Sequence, residues 1–158
     1  MLVLASLPLL VSCGFQLRGS ATYPFETIYV NSTGSPPLGT ELRRILTSST
    51  SAKPVDVASK AQVILDVPIV ADDKEVLSLS SAGAVQEYQL TKRITFRLHD
   101  TDGNDWLPPA EIVVRRAYTF NQSQVLARDA EEQRLLQEMQ TDIVYQLVRR
   151  LQAAKKPA

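Results

Sequence analysis

The sequence contains few of the side chains that enzymes use for catalysis or for metal binding. Its 158 residues include one histidine, His99, and one cysteine, Cys13. One cysteine excludes a disulfide within the chain, and a single histidine beside it cannot complete a cluster of metal ligands. The carboxylates form no convincing catalytic set either. We therefore expect a binding protein with no catalytic residues, no metal site and no enzymatic activity.

Net charge is absent as well, because 17 Lys and Arg residues balance 17 Asp and Glu residues. The chain as a whole has no general attraction to nucleic acid or to an anionic membrane, and we expect no nucleic-acid partner. Any electrostatic binding must be local. Hydrophobic residues make up 44% of the chain, which is ordinary for one globular domain.

The N-terminus is apolar but too short to span a bilayer. Residues 1–11 are almost wholly apolar, and Leu10-Val11-Ser12-Cys13 looks like a lipobox, where bacterial signal peptidase cuts before a cysteine that receives lipid. A buried core strand is the alternative interpretation. No Lys or Arg precedes Cys13, which is consistent with a signal peptide truncated at its start.

A lipid on Cys13 would serve as a membrane anchor. Each buried methylene contributes about 0.8 kcal/mol, so lasting attachment needs two or more chains. We expect N-acyl and S-diacylglycerol groups on this cysteine and no other cofactor. Gly14, in place of Asp, resembles the start of lipoproteins that are sorted to the outer membrane. The expected layout is a signal peptide at 1–12, a lipidated tether at 13–24, a single α/β sandwich domain at 25–154 and a tail at 155–158.

Hydrophobic periodicity predicts four strands and two helices. The strands cover about 27–30, 61–79, 87–99 and 112–120, and the helices cover about 38–46 and 127–154. Pro68 and Asp72-Asp73 interrupt the second strand, so we expect a bulge or a sheet edge there. The fold class is α+β, with a single mixed four-stranded sheet, formed by a first βαβ unit and then an antiparallel meander, and with two helices packed on one face.

Alternation along the third predicted strand separates a buried face from a wet one. Tyr88, Leu90, Ile94, Phe96 and Leu98 share one parity, together with Lys92, and polar residues hold the other. Tyr118 and Phe120 are expected under the helices. Trp106 lies in a predicted loop, where we expect its ring to cap the core.

Three stretches carry a resemblance to a known family. Cys13-Gly14-Phe15-Gln16-Leu17-Arg18-Gly19 resembles the mature start of the LptE family of lipopolysaccharide-assembly lipoproteins, formerly rare lipoprotein B. Residues 86–90, Gln-Glu-Tyr-Gln-Leu, and residues 127–133 resemble two later segments of the same family. The resemblance implies a lipoprotein of the outer membrane that lies on its periplasmic side and inside the β-barrel LptD. It also implies that the protein binds lipopolysaccharide during insertion into the outer leaflet.

A lipopolysaccharide binder needs basic side chains beside apolar surface, and arginine can grip a phosphate through paired donors. The candidates that we select are Lys92, Arg93, Arg97, Arg115 and Arg128. Arg93 and Arg97 share the polar parity, and Arg115 joins them if the register of the next strand allows. The alternative is that these are ordinary solvated charges.

The turn at 80–85 and the loop at 121–128 should lie at the same end of the sheet. This tip would present Ser81, Gly83 and Gln122 to the barrel wall or to lipid, beside Arg128. The alternative is that both are ordinary connections. His99 is expected to be an exposed polar residue.

Two other functions remain open. One is a different outer-membrane lipoprotein chaperone, such as a pilot for a secretin, which would use the same anchor. The other is a periplasmic hydrolase, for which the chain offers no second histidine or cysteine.

Overall fold

The computed structural model describes residues 22–49, 51–119 and 125–157, with side chains from residue 129 onward in the last range. These residues form five strands and two helices: β1 (Thr27–Asn31), α1 (Pro36–Thr47), β2 (Lys53–Pro54), β3 (Val63–Leu79), β4 (Val85–His99), β5 (Asp105–Thr119) and α2 (Val125–Gln152). A short 3-10 turn, Ala58–Lys60, precedes β3.

The strands form one mixed sheet in the order β2-β1-β3-β4-β5. β1 is parallel to β2 and β3, while β3, β4 and β5 are antiparallel. The predicted βαβ unit and meander are confirmed, but four strands is wrong. The extra strand, β2, has two residues, one of them a proline, so it carries no periodic signal and can pair only at the edge.

β3 is an inner strand for part of its length only. β1 pairs with it as far as Asp66, so among the described residues 69–79 pair with β4 alone and their other edge has no partner strand. The register shifts between Asp66 and Ile69, around Pro68, which has no N–H for the ladder. The predicted bulge and edge at Pro68 are confirmed. The predicted edge is also found at Asp72-Asp73, which pair in register with β4 and with no strand on their other side among the described residues.

The core lies between one face of the sheet and the two helices. α1 buries Leu38, Leu42 and Leu46, and α2 buries the stripe Leu135, Met139, Ile143, Val144, Leu147, Val148 and Leu151. The buried parity of β4 is the predicted one, from Leu90 to Leu98. Helix α1 begins where the Ser35 side chain accepts a hydrogen bond from the Leu38 amide and two prolines fill the first turn.

β5 begins at Asp105, well before residue 112, where its start was predicted. Two prolines hid this part of the strand, and they are tolerated because β5 is an edge strand. Trp106 therefore lies in a strand and not in a loop. Its ring is buried and meets Phe25 edge-on at 6.3 Å, so the expected core cap is confirmed. Tyr118 is buried as expected, while Phe120 lies outside the described residues.

Candidate functional site

Three of the predicted cationic residues share the sheet face that carries no helix. Thr91 pairs with Arg115 and Arg93 pairs with Val113, so Arg93, Arg97 and Arg115 project from the same side of β4 and β5. Arg115 was expected to join Arg93 and Arg97 if the register of β5 allowed it, and the register does. This open face could therefore present several guanidinium groups to one ligand.

Carboxylates neutralise two of these three arginines. Arg97 Nε lies 2.5 Å from Asp105 Oδ1, and its Nη2 donates to the Gly103 carbonyl at 2.9 Å. Arg93 Nε lies 3.5 Å from Glu111 Oε1, an ion pair without a hydrogen bond of good geometry. The open face thus carries both positive and negative side chains, and Arg93 and Arg97 are already paired with carboxylates.

Arg115 is the exception on the open face. Its side chain is exposed, and within the described ranges its guanidinium has no carboxylate partner. It lies diagonally across the register from Arg93. It is therefore the most available of the three groups for a phosphate.

Lys92 lies on the opposite face, beneath the helices. The residue is only 5% exposed, and Lys92 Nζ contacts Asp72 Oδ1 at 2.5 Å. This cross-strand pair satisfies the ammonium within the protein, as a buried charge requires. Lys92 therefore cannot act in one cluster with Arg93 and Arg97.

The tip of the molecule brings the β3–β4 turn and the start of α2 to one end of the sheet. Glu87 pairs with Thr119 and Val85 pairs with Leu79, so the turn lies beside the end of β5, from which the chain leads into α2. Ser81 and Gly83 are exposed in that turn, and Gly83 has a φ of +76°. Arg128 belongs to the first turn of α2, but its side chain, like all of Gln122, lies outside the described residues.

Sequence reasoning missed a set of apolar side chains that approach this tip. Val76, Leu77 and Leu79, in the last part of β3, are 50%, 50% and 57% exposed. A signal was available, because Val76 and Leu77 are consecutive and a sheet covered on one face cannot bury both. The tip therefore joins exposed apolar surface to the N-terminus of a helix.

A polar cluster fastens α2 to the hairpin behind the tip. Lys74 Nζ lies 4.5 Å from the centre of the Tyr88 ring, and the Tyr118 hydroxyl donates to Glu132 Oε2 at 2.6 Å. Burial is the largest single influence and acts to lower the pKa of Lys74, but the hydrogen bonds and charge attraction of Glu132 and Tyr118 together outweigh it, and the pKa is raised. Burial, together with the hydrogen bond to Glu132, raises the pKa of Tyr118.

His99 has a structural role. Its Nε2 lies 2.9 Å from Asp66 Oδ2 and its Nδ1 lies 2.7 Å from the Asp100 carbonyl oxygen, so the ring links β4 to β3 and to the next turn. The prediction of an exposed side chain is wrong, since 14% of it is exposed. Within the described part of the chain, no group of three or more His, Cys, Asp and Glu side chains could hold a metal ion.

Two features of the chain concern attachment to a membrane. Cys13 lies outside the described residues, and among the helices that are described none is long and apolar enough to cross a membrane.

Comparisons with known proteins agree with the fold and with the family resemblance. The family model described as LptE, lipopolysaccharide-assembly, matches residues 25–151. The LPS-assembly lipoprotein LptE of Photorhabdus laumondii is 30% identical over 144 residues, which cover 88% of this chain and 76% of that protein. A solution structure of uncharacterized lipoprotein B from Nitrosomonas europaea is similar at a TM-score of 0.76 and 36% identity, covering 89% of this chain and 91% of that one.

The rare lipoprotein B of Shewanella oneidensis has the same fold, with a TM-score of 0.68 and 23% identity over 81% of this chain and 95% of that one. The resemblance found in the sequence is thereby confirmed. On the family match and on the identity to a lipopolysaccharide-assembly lipoprotein over most of both chains, the protein belongs to the LptE family.

Proposed function

We propose that this protein is anchored in the outer membrane through lipid on Cys13 and lodges inside the β-barrel LptD as its plug and assembly partner. In that position it binds lipopolysaccharide during insertion into the outer leaflet. Family membership supports a role with the lipopolysaccharide transport machinery. The barrel partner, the lipid ligand and the periplasmic side of attachment are the further steps of the proposal.

One observation carries the ligand part of the proposal, namely the exposed apolar end of β3 beside the start of α2. Lipopolysaccharide joins fatty chains to phosphorylated sugars, so its binding surface needs apolar side chains next to cations or amide donors. Val76, Leu77 and Leu79 supply the apolar part. The first turn of α2 supplies Arg128 and backbone N–H groups that favour an anion.

The open sheet face is a second candidate surface for the phosphates. Arg115 has a free guanidinium there within the described residues, while Arg93 and Arg97 would have to leave Glu111 and Asp105. Exchanging one charged partner for another has a small net free energy. We therefore rank Arg115 above Arg93 and Arg97, and Lys92 last because it is buried and paired.

The same tip is the proposed contact with the barrel. Ser81 and Gly83 are exposed at its turn, and Gln122, outside the described residues, comes between β5 and α2 in the sequence. Short polar residues on a turn present backbone groups closely to a partner. The exposed apolar side chains of β3 would be covered when the tip is enclosed.

The test is an affinity pull-down of the tagged, lipidated protein from detergent-solubilised outer membranes, with the co-purifying chains identified by mass spectrometry. Near-stoichiometric recovery of one large β-barrel is the expected result. Recovery of a secretin instead would replace the barrel proposal with a pilot function. Recovery of neither would reject a stable membrane partner. A Cys13→Ser protein, processed without lipid, is the control that separates anchoring from barrel binding.

A further inference from the structure

The outer part of β3 has backbone groups that, within the described part of the chain, pair with no strand on one side. β1 pairs with β3 as far as Asp66, and the turn at Gly34 covers the next residues, because a Cβ on Gly34 would lie 3.0 Å from the Val70 amide nitrogen. From residue 71 onward, every second residue directs its N–H and C=O groups away from β4. An edge of this kind can accept one more strand from a partner.

The charged side chains on the helix side of this edge are already paired. Asp72 contacts Lys92 of β4 and Lys74 contacts Glu132 of α2, each at 2.5 Å. Both pairs lie within the protein, so a partner strand has no charge to neutralise on this side. The specificity of the edge must therefore come from the opposite side of the sheet.

Asp73 and Glu75 lie on that opposite side, the open sheet face. Both side chains are exposed, and neither forms an ion pair with another residue that the structure describes. Arg93, on the same face of β4, pairs with Glu111 instead. Two carboxylates at alternate positions of an edge strand are stabilised by cations directly opposite them on a neighbouring strand.

We propose that residues 71–75 bind an extended segment of a partner protein that has Lys or Arg at two alternate positions and β-branched residues between and beside them. In the antiparallel arrangement its cations lie opposite Asp73 and Glu75. The backbone of the edge supplies the affinity, and the two carboxylates select the charge pattern. The inference goes beyond the proposed function, because it uses none of the residues proposed to contact lipid or the barrel.

The charge of the edge argues against two other occupants. The phosphates of an anionic lipid would be repelled by Asp73 and Glu75. A second copy of the chain, paired antiparallel about Lys74, would place Asp73 of one copy opposite Glu75 of the other. Like charges directly opposite each other destabilise a strand pair. A basic strand meets neither obstacle.

Two synthetic peptides, capped at both ends, test the proposal on the Cys13→Ser protein. Val-Lys-Thr-Lys-Thr-Val has the proposed pattern, while Val-Lys-Lys-Thr-Thr-Val has the same composition with its lysines on opposite faces of a strand. In NMR titrations we expect the first peptide to shift the amide signals of residues 71–75 and to slow their hydrogen exchange. Its affinity should be about fivefold higher than that of the second, because one cross-strand ion pair is lost.

Charge reversal at the edge tests the selection. Both positions are exposed, so Asp73→Lys/Glu75→Lys should keep the fold, and the amide spectrum outside β3 verifies this. The basic peptide should bind about tenfold more weakly, and Val-Glu-Thr-Glu-Thr-Val should bind in its place. Asp56→Lys/Asp102→Lys makes the same change of charge at exposed positions away from β3, and should leave the affinity within about twofold.

N-methylated peptides test the strand pairing itself. Methyl groups on the alternate residues whose N–H groups face β3 should abolish binding, while methyl groups on the other set should not. Equal binding by both methylated peptides would overturn the proposal, as would equal affinity for the two lysine peptides or no effect of charge reversal. Slow exchange at residues 71–75 without any peptide would also overturn it, because the chain itself or a second copy would then cover the edge.

Discussion

Lys74 Nζ and Glu132 Oε2 lie 2.5 Å apart, although the residues are separated by 58 positions in the sequence. The pair joins the part of β3 that has a free edge to the first half of α2. Tyr118 of β5 donates to the same carboxylate oxygen. The Glu132 side chain of α2 therefore contacts both β3 and β5. The position of the tip relative to the helix depends on this carboxylate.

Replacing Glu132 should therefore destabilise the protein in two steps. Glu132→Gln keeps an acceptor for Tyr118 and removes the ion pair, with an expected loss of about 0.5–1 kcal/mol in the free energy of unfolding. Glu132→Ala also removes the hydrogen bond, for a total of about 1–2 kcal/mol. Urea denaturation measures both. The control is Glu138→Gln, an exposed partner of Arg134 on the same helix, and a loss there as large as in Glu132→Ala would refute the special role of Glu132.

Alkaline pH should weaken the same cluster. The pKa values of Lys74 and Tyr118 are raised above their ordinary 10.5 and 10.0, so both groups hold their protons more tightly in the folded state. Their contribution to the free energy of unfolding is complete below about pH 10, and it is lost as the pH rises through the pKa values of the folded state. Urea midpoints measured from about pH 8 to about pH 11 should fall more steeply in the wild-type protein than in Lys74→Met/Tyr118→Phe. Parallel curves would show that other groups cause the fall.

Gly34 is predicted to be required for the close approach of the β1–α1 turn to the bulge in β3. A Cβ atom at Gly34 would lie 2.9 Å from the Pro68 carbonyl oxygen, and the Gly34 amide donates to Val67 at 3.3 Å. The contacted atoms belong to the backbone of β3, which cannot shift easily. Gly34→Ala should therefore lower the free energy of unfolding by about 1–3 kcal/mol. Thr33→Ala in the same turn should cost under about 0.5 kcal/mol. Thermal unfolding compares the two variants, and equal melting temperatures would show that the bulge yields freely.

The apolar side chains near the tip should matter for lipopolysaccharide and not for folding. Val76→Ser and Leu77→Ser change residues that are half exposed, so the free energy of unfolding should change by less than about 1 kcal/mol. Lipopolysaccharide affinity should fall several-fold, which fluorescence titration can measure. Val57→Ser is the matched control, because Val57 is 48% exposed and lies away from the tip, just before the 3-10 turn. The same loss of affinity in both places would indicate nonspecific partitioning.

Among the arginines, the order of effects on lipopolysaccharide affinity should follow their availability. Arg128→Ala and Arg115→Ala should weaken binding more than Arg93→Ala/Arg97→Ala, because Glu111 and Asp105 already occupy the last two. Each lost charge-assisted contact corresponds to about 1.5–3 kcal/mol, before screening by solvent and salt reduces it. Arg44→Ala, at an exposed position of α1, is the control. If the Arg93→Ala/Arg97→Ala double variant binds lipopolysaccharide more weakly than Arg128→Ala does, the binding surface lies on the open sheet face.

The elements that the sequence predicts best are those in which the hydrophobic pattern repeats over many residues. α1, α2 and β4 each carry enough apolar repeats to show which face is buried, and the structure places those faces on the core. β2 was missed because two residues form no pattern, and the start of β5 was missed because Pro108 and Pro109 mask a strand at a sheet edge. In both places the pairing partner decides the structure, and a partner strand is not visible in local sequence.

The candidate site was less predictable for a related reason. Parity alone placed Arg93, Arg97 and Arg115 on one face, and the register confirms it. Parity could not show that Glu111 and Asp105 reach two of them, since that depends on the offset between strands. The point at which β1 stops pairing with β3, at Asp66, likewise shows in no periodicity.

The free edge of β3 has a consequence for the protein before it meets any partner. On that side of residues 69–79, the N–H and C=O groups pair with no strand in the described part of the chain, so they form a template on which another chain could add a strand, as in aggregation. Four consecutive charged residues, Asp72-Asp73-Lys74-Glu75, occupy this edge. An incoming strand would have to desolvate or face them, so the edge resists self-association. This protection is electrostatic, and high salt should weaken it by screening.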